Sequence, residues 1–221
     1  MIPVLFITYN RLEYTKRAIE ALCHSDAGNI HILDNNSSDG TREWLMATFE
    51  KGDPFGYYRN RQVSISYQDK NLGIAGALNM FLGITKNYRY VAKIDNDTIV
   101  PNDFFTCMYN EILKHDLDML QAKHHIIHAT HPQGWDGFVK NMKNPAPGIY
   151  LNHFIGGSGI IFRRDKVDKI PEVEWALGGW RKFQSMRPEL KKGFTSNIEI
   201  KLLDDHGYTD YPLYYKETRR I

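Results

Sequence analysis

Cysteine is scarce: two in 221 residues. Cys23 and Cys107 match no metal-ligand spacing and no disulfide framework, so a small disulfide-stapled scaffold is excluded and a reducing compartment is expected. Long apolar runs are missing too, since nothing approaches the roughly 20 residues of a membrane helix. The N-terminal MIPVLFITYN has neither the basic flank nor the small-residue cleavage site of a signal peptide. It reads as a first strand, and a cytoplasmic location is expected. A charge excess is also lacking, with 28 Lys and Arg against 26 Asp and Glu, a formal net charge of +2. That balance gives no support to a general nucleic-acid binder. There is no P-loop, and Asn71-Leu72-Gly73-Ile74-Ala75-Gly76 lacks the glycine spacing of a dinucleotide fingerprint, so ATPase and dehydrogenase readings have no support.

What is present is an alternation of strands and helices. Ile2 to Thr8 is a β-rich apolar run, followed by Leu12, Thr15, Ile19 and Leu22 at helical spacing. Asn29 to Leu33 is a second strand, and the turn Asp34 to Gly40 precedes a helix over Thr41 to Phe49. Val63 to Tyr67 alternates as a third strand, Ile74 to Ile84 is helical, and Tyr90 to Ile94 is a fourth strand. Such an order predicts an α/β domain with a mostly parallel central sheet flanked by helices. The second half predicts a helix over Asp103 to His115, a strand near Met119 to Ile127, a loop-rich stretch from His128 to Pro147, and strand material from Ile149 to Phe162. A helical segment after Asn197 and a last strand over Tyr211 to Tyr215 complete the reading.

In open α/β sheets ligands bind beyond the carboxyl ends of the strands. The polar clusters Thr8 to Asn10, Asp34 to Asp39 and Asp95 to Asp97 all fall at such ends. Asp95 and Asp97 close an apolar strand, where an unpaired buried carboxylate is costly, so they require solvent, a cation or strong donors. A calcium EF-hand loop is excluded, because its glycine and glutamate positions hold Val100 and Thr106. His124, His125, His128 and His131 do not converge on one face of a strand and read as ordinary histidines. The basic tail with Lys216, Arg219 and Arg220 reads as either a solvated terminus or a segment that closes over a phosphate, the solvated terminus being the more ordinary.

VLFITYNR, ILDNNSSDGT, KNLGIAGALN and VAKIDNDTIV, in that order, together resemble the family 2 glycosyltransferases of the GT-A fold. The resemblance covers residues 1–105 strongly and IGGSGIIFRRD and TSNIEIKLLDDHGY more loosely. It implies a single GT-A domain over residues 1–221, with residues 1–105 binding a nucleotide sugar and residues 106–221 an acceptor. By that resemblance Thr8 and Tyr9 wall the nucleotide base, Asp34 accepts a base N–H with Asp39 nearby, and Lys70 and Asn71 lie over the nucleotide. Asp95 faces the ribose or the metal, and Asp97 binds the metal. The implied metal is Mn²⁺ or Mg²⁺, which the oxygen ligands do not distinguish.

Inverting transfer also needs a base for the acceptor hydroxyl. The resemblance points to Glu199, with Asp136, Asp204 and Asp205 in reserve, although an acidic pair is usual slightly earlier. In YYKET, Tyr215 stands where many relatives carry a histidine, which leaves a third metal ligand open, with His153 and His206 as candidates. Trp135, Trp175 and Trp180 are either sugar platforms or core aromatics, and the core is the more ordinary fate. The expected activity is metal-dependent transfer of a sugar, with inversion, from a UDP-linked donor to a glycan or other hydroxyl acceptor. The rivals are a non-catalytic binding module of the same fold and a sugar-1-phosphate nucleotidyltransferase, whose basic, glycine-rich phosphate loop is not in evidence near the N-terminus.

Overall fold

The computed structural model describes residues 1–49, 62–124, 134–173 and 178–203. The first half runs β1 (Val4–Thr8), α1 (Leu12–His24), β2 (Ile30–Asp34), α2 (Thr41–Phe49), β3 (Val63–Tyr67), α3 (Gly73–Ile84), β4 (Tyr90–Asp95) and the short β5 (Thr98–Ile99). The second half runs α4 (Phe104–Lys114), β6 (Met119–His124), α5 (Gly134–Val139), β7 (Lys143–Ala146), β8 (Ile149–Leu151), β9 (Ile160–Arg163), α6 (Gly178–Met186) and β10 (Lys192–Leu202). Among the described residues the strands form one sheet in the order β3-β2-β1-β4-β9-β6-β10-β8-β7, with β5 paired to β10. β3, β2, β1 and β4 are parallel, as is β6 with β10, whereas β9 is antiparallel to both β4 and β6.

The apolar sequence of β1 is explained by cover on both faces, since every one of its residues is buried. Val4 and Phe6 pack with Ala18, Ile19 and Leu22 of α1 and Leu45 of α2. Leu5 and Ile7, one position out of phase, pack with Leu78 and Phe81 of α3 and Trp180 and Phe183 of α6. Helices α1 and α2 therefore cover one face, and α3 covers the other. The chain changes face and direction between β1 and β4, which opens a crevice beyond the carboxyl ends of those two strands.

Two sequence expectations need correction. The helical segment after Asn197 is instead the second part of β10, which runs to Leu202. Ile198, Ile200 and Leu202 recur every second residue, and Ile198 and Ile200 are buried, so the period is that of a strand. The stretch 128–147 also contains α5 and β7 where a long loop was expected. The strand Tyr211 to Tyr215 lies outside the described residues.

Helix α6 approaches α3 closely enough that a Cβ at Gly179 would fall 2.4 Å from the Pro171 carbonyl oxygen and 2.8 Å from Ala75 Cβ. The same helix holds the segment before β9: Gln184 Oε1 accepts from Ile155 N at 2.9 Å, and Trp180 Nε1 donates to Gly156 O at 3.0 Å. Gly179→Ala is expected to cost about 1–3 kcal/mol through overpacking. The check is a fall in urea midpoint with an unchanged denaturant slope.

Candidate active site

The floor of the crevice is a tight turn after β1. Asn10 and Arg11 are consecutive residues in the left-handed region, at φ 55° and 65°. Asparagine tolerates that region and arginine rarely does, so neighbouring bonds must hold the turn. Asn10 N donates to Ser37 Oγ and Ser38 N to Asn10 Oδ1, both at 2.8 Å. The turn sends the Arg11 guanidinium to Asp97, with Nη1 3.2 Å from Oδ2, and places it 5.0 Å above the Tyr14 ring.

Across the crevice, the Asp95-Asn96-Asp97 sequence splits by direction. Asn96 is buried and its Nδ2 donates to Asn10 O at 2.9 Å, Thr15 Oγ1 at 3.1 Å and Thr8 Oγ1 at 3.3 Å. The flanking carboxylates face outward, with side-chain exposures of 30% for Asp95 and 19% for Asp97. Asp95 accepts a short hydrogen bond from Lys93 Nζ, and Thr98 Oγ1 donates to Asp97 Oδ1 at 3.2 Å. Among the described residues no group of three or more His, Cys, Asp or Glu side chains could hold a metal unaided. The two carboxylates do fit a hard cation that completes its shell with water and substrate phosphates, as Mg²⁺ commonly does.

The residues expected at the nucleotide lie together near the ends of β1, β2 and α3, in varied states. Thr8 is fully buried and its hydroxyl meets Thr15 Oγ1 at 2.9 Å, while Tyr9 is half-buried. Asp34 is also fully buried: Oδ2 takes Arg42 Nε at 2.7 Å and Oδ1 takes Ser37 N at 3.2 Å. Arg42 in turn donates to Gln68 O and lies 5.6 Å above Tyr67, which locks β2 to β3. Asn71 is joined to β2 through Asn35, whose Nδ2 donates to Asn71 Oδ1 at 2.6 Å and whose Oδ1 accepts Leu72 N at 2.7 Å. Lys70 beside it is exposed.

Asp39 ties two helix starts together, accepting Leu12 N at 3.0 Å, Thr41 N at 3.1 Å and Thr41 Oγ1 at 2.6 Å. Partial burial pushes its carboxyl up, but the bonds from the Thr41 hydroxyl and from the Leu12, Thr41 and Arg11 backbone outweigh that and hold it below the usual range.

Glu199 stands on β10, not in a helix, opposite Lys123 of β6, with Oε2 2.9 Å from Lys123 Nζ. Ile198 and Ile200 flank it and point to the α1 side of the sheet, so Glu199 faces the other side. Asp95 alternates with Ala92 and Ile94 in the same way and shares the Glu199 face. The strand order β4-β9-β6-β10 puts three strand spacings, about 14 Å, between them. Asp136 is exposed on α5, and His153 is exposed in the segment after β8. Trp180 packs against Phe162 and Phe183 in the core, whereas half-buried Trp135 packs against the core's edge with Phe138, Tyr150 and Phe194. His124, at the end of β6, is half-buried. Trp175, His125, His128, His131, Asp204, Asp205, His206, Tyr215 and the basic tail lie outside the described residues.

Arg11, Arg42, Lys93 and Lys123 were not singled out from the sequence, yet each pairs with a carboxylate that was. Lys93 carried a readable signal, being a lysine inside an apolar strand, where full burial requires a partner.

Two expected outcomes follow. Arg42→Met strands the buried Asp34 carboxylate, which costs about 3–5 kcal/mol and shows as a large drop in urea midpoint. Asp39 has a lowered carboxyl, so its stabilising contribution is complete above about pH 4 and is lost as pH falls through the depressed value. The melting-temperature gap between wild type and Asp39→Asn should therefore be constant at neutral pH and narrow on acidification.

No curated protein matches the sequence significantly. Among solved structures, S. aureus TarS 1–349 in complex with UDP is 17% identical with a TM-score of 0.65, over 91% of this chain and 60% of that one. The mannosyltransferase PcManGT from Pyrobaculum calidifontis, in complex with GDP-Man and Mn²⁺, is 14% identical with a TM-score of 0.69, over 98% and 61%. GalNAc-T7 with UDP, GalNAc and Mn²⁺ is 10% identical with a TM-score of 0.68, over 91% and 43%. This chain thus spans less than two thirds of each, and the likeness shows the GT-A fold. The profile of glycosyl transferase family 2 matches residues 4–170, from the start of β1 to beyond β9. On that match, which takes in the crevice and both of its carboxylates, the chain belongs to the family 2 glycosyltransferases.

Proposed function

We propose that this chain transfers a sugar, with inversion, from a UDP-linked donor to an acceptor hydroxyl, with Asp95 and Asp97 holding a Mn²⁺ or Mg²⁺ ion against the donor diphosphate. The observation that carries the reading is the pair of outward carboxylates at the end of β4, opposite Arg11, at the point where the sheet changes direction. Anionic side chains facing an anionic diphosphate make sense with a divalent cation between them, which also offsets charge on the leaving group. Two of the structural relatives hold UDP and two hold Mn²⁺.

Residues 1–105 form the donor half. Asn71 and Asn35 frame the nucleotide together with Tyr9 and Lys70. Buried Asp34, held by Arg42, shapes the base site from behind, as do Thr8 and Asp39 through the turns they brace. Residues 106–221 form the acceptor half. Glu199 takes the proton of the acceptor hydroxyl as its oxygen bonds to the anomeric carbon and the bond from that carbon to the diphosphate oxygen breaks. The span of about 14 Å between Glu199 and Asp95 leaves room for a diphosphate and a sugar ring. Lys123 orients Glu199 through their ion pair.

Calorimetric titration with UDP and GDP sugars, each with Mn²⁺, Mg²⁺ or chelator, should show metal-dependent binding of a UDP sugar. Asp97→Ala should weaken that binding about 100-fold or more. Glu199→Gln should leave donor affinity intact and reduce turnover about 10²–10⁴-fold. Metal-independent donor binding that survives Asp97→Ala would refute the clamp. Full turnover in Glu199→Gln would remove the base assignment.

A further inference from the structure

We propose that Lys93 is a positioning residue that fixes which oxygen of Asp95 the donor site can use and couples the donor carboxylates to the glycine turn before β9. The proposal rests on the metal-diphosphate reading above. Lys93 is fully buried, and its Nζ has two partners on the crevice side: Asp95 Oδ1 and the Gly157 carbonyl oxygen. Gly157 belongs to the segment Gly156-Gly157-Ser158-Gly159, which enters β9 at the point where Lys93 pairs with Ile160. The same turn is also bound to the carboxylate-bearing segment through its backbone and the Thr98 hydroxyl. Asp95 N donates to Ser158 Oγ at 3.1 Å, and Ser158 Oγ meets Thr98 Oγ1 at 2.6 Å. Buried Gln121 closes the network, accepting Gly156 N and donating to Ser158 O at 3.1 Å.

Three consequences follow for Asp95. One oxygen is turned into the protein, so it approaches a cation through Oδ2 rather than through both oxygens. Its orientation is tied to the turn that borders the acceptor side, so donor and acceptor halves are aligned by one buried ammonium group. The charge of Lys93 offsets one of the two carboxylates, which tempers the attraction of a divalent cation to the site while keeping its geometry. Lys93 thus trades cation affinity for alignment.

A lysine that merely fills space would weaken cation binding and turnover together when replaced. A positioning cation gives opposite signs. Lys93→Gln keeps a donor for the Gly157 carbonyl and removes the charge. Titration of MnCl₂ in the presence of UDP, read by calorimetry and by the free-Mn²⁺ paramagnetic signal, should show tightening of about 16-fold, the effect of one unit charge on a divalent cation roughly 5 Å away in water-like screening. Turnover of the UDP sugar should fall at least about tenfold. Lys93→Arg keeps the charge but not the compact ammonium, so Mn²⁺ affinity should match wild type while turnover falls at least about fivefold.

If wild type binds Mn²⁺ with UDP and Lys93→Gln binds it equally or more weakly, the role of Lys93 is overturned while the metal reading stands. If wild type binds no Mn²⁺ at all, the metal reading fails first and takes this proposal with it. If Lys93→Gln does not fold, the decision passes to Lys93→Arg, whose undiminished turnover would overturn the proposal.

Discussion

The carboxylate pair can stand at the mouth of the crevice because Asn96 turns inward between them. Its amide nitrogen donates to groups on the β1 end and α1, so the end of β4 is fastened to the end of β1. With the middle residue facing in, its neighbours face out, and a three-residue sequence combines a structural joint with two outward carboxylates. The left-handed turn at Asn10 and Arg11 supplies the carbonyl that Asn96 needs, which accounts for backbone strain being tolerated there.

Electrostatics at the crevice is balanced by the chain itself. Asp97 meets Arg11, Asp95 meets Lys93, and further along the same face Glu199 meets Lys123. Each of these acids is paired with a base from the fold, so the negative charge there is compensated within the chain.

Much of this architecture was legible in the sequence. The buried strands β1 and β4 announced themselves as apolar runs, and the turns at Asp34 to Gly40 and Asp95 to Asp97 as dense polar punctuation. The family resemblance, carried by four ordered motifs, agreed with the profile match. Less legible was what each carboxylate touches. Asp34 and Asp95 look alike in sequence, each ending an apolar strand, yet one is sealed against Arg42 and the other stays partly exposed. Their partners lie on other elements or two residues upstream, and pairings of that kind appear when the chain is folded. Glu199 was misplaced onto a helix because motif likeness outweighed the two-residue alternation of Ile198, Ile200 and Leu202, which signalled β10.

The central claim is that Asp95 and Asp97 together hold a divalent cation against a donor diphosphate. The most direct measurement is a crystal structure grown with UDP and Mn²⁺, with anomalous data collected on either side of the manganese edge. The account predicts one strong anomalous peak within coordinating distance of carboxylate oxygens of both Asp95 and Asp97, in contact with the diphosphate. A bound UDP with its diphosphate on Arg11 and no manganese peak at those carboxylates would contradict it.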